Sequence, residues 1–237
     1  MDDSKPYRVT EHPRARHVHL KLSWCGELEV VVPRGYNPLK IPAVVAAKQA
    51  WLRRARARLG EQTRSLPEEY FEQRPHRVRL RALDETYTVI YRVGAGARVT
   101  FTETDRTLII AIPTGDADAC VNGLRAWLRA KALQTLPSWL RQTSRELGMP
   151  YLKTAIRGQR TRWGSCSARG VISLNCKLLF LTRAEVQYLF VHELCHTRHL
   201  NHSARYWALV ARKMPDYRRF EASLREAWRV VPRWAED

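Results

Sequence analysis

Residues 182–202 read TRAEVQYLFVHELCHTRHLNH, and the rest of the chain is best read outward from them. Thr182 and Glu185 occupy the two positions of a capping box, and Leu181 and Val186 those of a hydrophobic staple, so a helix is predicted to begin at Arg183. It should run through Tyr188, Leu189 and Phe190 into VHELCHTRHL and end before Asn201. His192 and His196 form an H-E-x-x-H pattern; four residues is just over one helical turn, so both imidazoles leave the same face and can converge on one ion. Glu193 lies about 100° around the helix from His192. That direction suits a general base reaching a water held by the ion better than it suits a ligand.

A catalytic zinc takes three protein ligands and keeps a fourth position open, so one more donor is needed. His199 shares the stripe, but it sits about 7.5 Å along the axis from the midpoint of the pair, out of reach on a straight helix. Asn201 tolerates left-handed backbone, and a turn there would bring His202 back. His202 is therefore the third candidate ligand for Zn2+. The spacing H-E-x-x-H-x5-H equals that of metzincins, with His199 where those have glycine, so the turn must be made differently or the helix distorted. His199 becomes a neighbouring or surface residue, and Glu221 stands in reserve as a ligand. Cys195, about 100° from His196, reads as a buried thiol rather than a ligand.

Upstream, RWGSCSARGVISLN reads as a hairpin turning at Ala168-Arg169-Gly170. An edge strand beside such a helix can pair with an extended peptide, so Trp163, Gly164 and Ser165 are candidate substrate-binding residues. The alternative is that Trp163 is core and Gly164 only permits close packing. Downstream, Ser203 can cap a second helix stopped by Pro215, and Asp216 a third reaching about Trp228. Tyr206, Trp207 and Leu209 are expected to wall the site. Tyr217 is expected to pack, although its hydroxyl could in principle donate to a developing oxyanion.

Further from the motif, residues 7–32 read as a hairpin turning at Cys25-Gly26, and residues 41–59 as one amphipathic helix with Pro42 in its first turn. VRLRAL, TYTVIYRV and LIIAIP read as strands parted by Asp84-Glu85, Gly94-Ala95-Gly96 and Asp105-Arg106. Residues 116–147 are helical in pattern, with Pro137 expected to kink or divide the helix. The fold class is thus α+β: an amino-terminal, mostly antiparallel sheet with a helix (1–115), then a helical, zincin-like metal-binding domain with a small β-hairpin (116–237).

Composition narrows the setting. The 237 residues are 45% apolar and 27% charged, enough to bury a core and unlike a disordered chain. No apolar run approaches the length of a membrane span, and MDDSKPYRVT lacks the features of a secretory signal. Cys25, Cys120, Cys166, Cys176 and Cys195 form no C-x-x-C pair, as expected of reduced thiols in a cytoplasmic protein. Lys and Arg outnumber Asp and Glu by 41 to 23, giving +18. Of the basic residues 33 are Arg, a skew that often reflects genome composition, and the charge divides evenly about residue 150, so no basic tail or single basic domain emerges. Non-specific contact with nucleic acid through the basic surface remains an expectation at low salt, with clusters at Arg53, Arg54, Arg56 and Arg58 and at Arg157, Arg160 and Arg162.

The run from 162 to 224, with RWGSCSARGVISLN, VHELCHTRHLNHSARYWALV and MPDYRRFEASL, resembles the YgjP-like metallopeptidase family, a zincin group, over about a quarter of the chain. The resemblance implies a zinc-binding fold with His192, His196 and His202 as ligands and Glu193 as catalytic acid/base. The chain departs from the family at Tyr206, where Phe is more usual, and at Leu181-Thr182, where a proline is common. The leading expectation is a zinc-dependent peptidase acting on a peptide or protein. Two alternatives stay open: a metal-dependent nucleotide pyrophosphatase or phosphohydrolase using Arg157, Arg160 and Arg162 on phosphates, and a DNA-associated protease, both of which the resemblance also suggests. The first lacks a glycine-rich phosphate loop. The sequence leaves the oligomeric state open.

Overall fold

The structure, a computed structural model, describes residues 7–22, 27–63, 72–94, 96, 98–113 and 117–236. The chain divides into two compact units, Met1–Leu66 and Pro67–Asp237.

In the first unit, β2 (His19–Leu22) pairs antiparallel with β3 (Leu28–Val32), as the alternating sequence predicts. The expected turn at Cys25-Gly26 lies outside the described residues. A strand the pattern did not separate, β1 (Arg8–Glu11), pairs parallel with β3, giving the order β1-β3-β2. Leu28, Val30 and Val32 share one face of β3 and pack with Ile41, Val45 and Leu52. The helix expected over 41–59 is in fact two: α1 (Ile41–Ala47) and α2 (Gln49–Thr63). They part at Lys48, whose amide falls back to the Val45 carbonyl at 3.1 Å, a three-residue bond that tightens and ends the first helix.

The second unit opens with β4 (Arg77–Leu80), β5 (Glu85–Val93), β6 (Thr100–Thr104) and β7 (Thr107–Ile112), in the order β4-β5-β7-β6 with β5 and β7 parallel. Asp105 and Arg106 both take positive φ, 46° and 64°, the requirement of a two-residue hairpin turn that follows the twist of its strands. The next helix, α3 (Ala117–Leu147), stays one element through Pro137 rather than dividing there. Cys120, Leu124, Leu128, Ala132, Leu136 and Leu140 form its buried stripe. Lys131 of α3 reaches Glu103 of β6 at 2.6 Å and Glu85 of β5 at 3.3 Å. Trp127 Nε1 donates to Glu103, and the Tyr87 hydroxyl donates to Glu85. Burial pushes both carboxyls up, but these bonds and the Lys131 charge outweigh it and hold both below their ordinary range.

After α3 come β8 (Lys153–Arg157), β9 (Gly164–Cys166) and β10 (Val171–Asn175) in the order β8-β10-β9, so β9 is an edge strand. The β9–β10 hairpin turns at Gly170, φ 74°, as expected. Three helices follow: α4 (Arg183–Cys195), α5 (Ala204–Lys213) and α6 (Tyr217–Glu226). Leu80 of β4 and Leu108 and Ile110 of β7 lie in the same hydrophobic cluster as Leu179, Phe190 and Leu194. The 77–112 sheet therefore shares a core with the downstream helices, and the compact division lies upstream of the change of pattern at 115–116. The architecture is α+β. Among the described residues no helix is long and apolar enough to cross a membrane.

Candidate metal centre

Helix α4 starts where its cap dictates. The Thr182 amide donates to Glu185 Oε2 at 2.7 Å, and the Glu185 amide donates to Thr182 Oγ1 at 3.3 Å. Leu181 and Val186 are both fully buried, as a staple requires. The helix ends sooner than expected, at Cys195 instead of beside Asn201. Leu194 O accepts both the amide and the hydroxyl of Thr197, at 3.0 and 2.7 Å, while the amides of Arg198 and His199 both bond to Cys195 O. These short-range bonds use up the last carbonyls and curl the chain out of the helix. Asn201 is not left-handed either: among the described residues the non-glycine positive φ values are at Asp84, Asp105 and Arg106. The tightened turn over 196–199, not a left-handed asparagine, starts the chain's return, and Ser203 then caps α5 through the Tyr206 amide.

The return brings three imidazoles together. His202 Nε2 lies 3.2 Å from His192 Nε2 and 3.2 Å from His196 Nε2, and the three ligand-capable atoms all fall within 4.8 Å of one another. Two nitrogens each 2.0–2.1 Å from a zinc ion at a tetrahedral angle would be about 3.3 Å apart. Burial, with help from His196 and His202, pushes His192 down to about 3, and burial followed by His202 lowers His196. Both are thus kept neutral, the form that offers a lone pair to a metal. His196 Nδ1 donates to the His199 carbonyl at 2.9 Å, which leaves its Nε2 as the acceptor end. The site uses the backbone of His199; its ring is not part of the cluster. Glu221 pairs with Arg225 at 2.6 Å and does not join the imidazoles. Cys195 is fully buried in the core.

Tyrosines frame the triad. Tyr206, fully buried, stacks on the His196 ring with centroids 4.5 Å apart, and its hydroxyl donates to His192 O at 3.1 Å. The Tyr188 hydroxyl lies 3.5 Å from His192 Nδ1. His202 stacks on Trp207, which stacks on the Tyr217 ring, so Tyr217 packs as expected. Leu209 is buried beneath. The sequence reading missed the Tyr188 contact, although Tyr188 precedes His192 by four residues and that spacing already put the two on one face.

Glu193 is only 3% exposed, and its Oε2 has no hydrogen-bond partner among the described residues. Burial pushes its carboxyl up to about 8, against the pull of the Arg162 charge. Gly164 of β9 lies directly against it: a Cβ there would come within 2.5 Å of Glu193 Oε1 and 3.0 Å of its Cδ and Cγ. Trp163 is 7% exposed, stacked on Trp228 at 4.0 Å, with its Nε1 donating to Leu224 O at 3.1 Å. Of the three candidate strand residues, Trp163 is thus core, Gly164 touches the glutamate, and Ser165 lies partly exposed on the edge strand.

A capped helix carrying two histidines and a buried glutamate, with a third histidine returned by the following turn, forms a group that could hold a metal ion. The chain belongs to the YgjP-like family, whose metallopeptidase-domain model matches residues 16–227. Among solved structures, it is similar to the metallopeptidase zymogen abylysin of Pyrococcus abyssi, at 26% identity over 36% of this chain and 87% of that one, with a TM-score of 0.33. No curated protein matches it.

Proposed function

We propose that this chain is a zinc-dependent peptidase in which His192, His196 and His202 hold the metal and Glu193 carries the proton. The observation behind this reading is the convergence of three imidazole Nε2 atoms at the end of the helix that also carries Glu193, a buried carboxylate whose Oε2 has no hydrogen-bond partner among the described residues. The donors fit the metal: three imidazole nitrogens are a set that would hold a catalytic zinc. When bound, zinc supplies Lewis acidity towards the scissile carbonyl and acidifies a water in its open position.

The chain's own groups do the rest. Glu193 takes a proton at its carboxylate from the attacking water and returns it to the leaving amine. Gly164 leaves room for the carboxylate to sit against the strand. The edge of β9, unpaired among the described residues, can hold an extended peptide by backbone hydrogen bonds, with Ser165 beside it. Glu193→Gln should keep the metal and lose peptide hydrolysis. Full activity in that variant, or phosphate release from nucleotides with no peptide cleavage, would overturn the reading.

A further inference from the structure

The segment leading into β9 is held more firmly than a loop needs to be. Asn175, fully buried, donates its side-chain amide to Gln159 O at 2.7 Å and to Arg162 O at 2.8 Å. Its backbone amide donates to Trp163 O at 2.9 Å. Trp163 is clamped in turn by the Leu224 carbonyl and the Trp228 ring. What this mount presents is Arg162: its side chain is exposed, and among the described residues its guanidinium makes no ion pair or hydrogen bond. It precedes by two residues the glycine whose Cβ position abuts Glu193, and its charge is felt at that carboxylate.

The surroundings leave the guanidinium without competition. From 157 to 205, the stretch that builds the site, there are eight Lys and Arg against two acidic residues, Glu185 and Glu193. Glu185 is committed to the helix cap and to Ser223, and Glu193 is buried. Neither carboxylate forms an ion pair with Arg162, whose charge reaches the buried Glu193 from outside. An exposed guanidinium with no ion pair among the described residues, on an anchored backbone, suits a planar carboxylate.

We propose that Arg162 is a specificity-determining residue that binds an acidic side chain of the peptide next to the scissile bond. The inference rests on the peptidase reading and adds the substrate class to it. It is tested with the zinc-loaded enzyme and fluorogenic peptides identical except for Asp, Asn or Lys at the positions flanking the cleaved bond. The wild type should favour Asp over Asn by about tenfold in kcat/KM, a difference of about 1.4 kcal/mol. Arg162→Gln should bring the two near parity, and Arg162→Glu should favour Lys. Arg183→Glu, which changes net charge equally from a position over the Trp139 ring, should leave the wild-type preference in place. Cleavage with no preference for Asp, or an Arg162→Gln variant whose kcat falls equally on all three peptides, would overturn the inference alone. No cleavage of any peptide by the zinc-loaded wild type would overturn the peptidase reading beneath it.

Discussion

Gly164→Ala places one methyl group where the structure has no room. Its Cβ would stand 2.5 Å from Glu193 Oε1 and 3.0 Å from Cδ and Cγ, whereas such atoms normally rest about 3.5 Å or more apart. The carboxylate, only 3% exposed, must retreat by up to about 1 Å, a displacement that can cost about 100-fold in rate when it separates a catalytic group from its reacting atom. The expected result is a kcat lower by 10- to 100-fold, which is about 1.4 to 2.7 kcal/mol, with zinc content unchanged. Steady-state kinetics on a peptide substrate and elemental analysis of the same preparation read both. Thermal unfolding of the metal-free protein supplies a second arm: Gly164→Ala should lower Tm, and adding Glu193→Ala should recover most of the loss because the clashing side chain is gone. A Gly164→Ala enzyme with unchanged kcat and Tm would refute the claim that the glycine is there to seat the glutamate.

Thr182→Ala removes the hydroxyl half of the capping box and should cost about 1 kcal/mol of stability, measured by denaturant unfolding; no change would show that α4 is held by packing alone. The cluster of Glu85, Glu103 and Lys131 predicts an acid limit. Both carboxyls lie below their ordinary range, so their contribution is complete above the unfolded carboxylate range near pH 4 and is lost as pH falls through the lowered folded values. The Tm gap between wild type and Lys131→Met should therefore narrow on acidification from pH 6 to pH 3, and a constant gap would contradict it.

The metal-site helix was legible because its signals are local. The cap, the staple and the four-residue histidine spacing each need only a few consecutive side chains, and each appears where expected. The hairpin before it was legible for the same reason, since Gly170 supplies the positive φ that the turn requires. Choice of strand partner is not local, so the parallel pairings of β1 with β3, β5 with β7 and β8 with β10 could not be read from alternation. β6 is exposed along its whole length and shows no buried face to alternate with. α4 ends at Cys195, short of Asn201, where the Thr197 hydroxyl competes for the Leu194 carbonyl, a bond that the helical pattern of VHELCHTRHL does not display. The fit between Gly164 and Glu193 joins residues 29 positions apart, and only the packing of β9 on α4 reveals it.

The most direct test is metal content by elemental analysis of purified wild type, His202→Ala and Glu193→Gln, each assayed on an unfolded protein substrate. The account expects near-stoichiometric zinc in the wild type and in Glu193→Gln, peptide cleavage in the wild type alone, and zinc lost from His202→Ala. Zinc retained at full occupancy in His202→Ala, or a wild type that binds none, would contradict it.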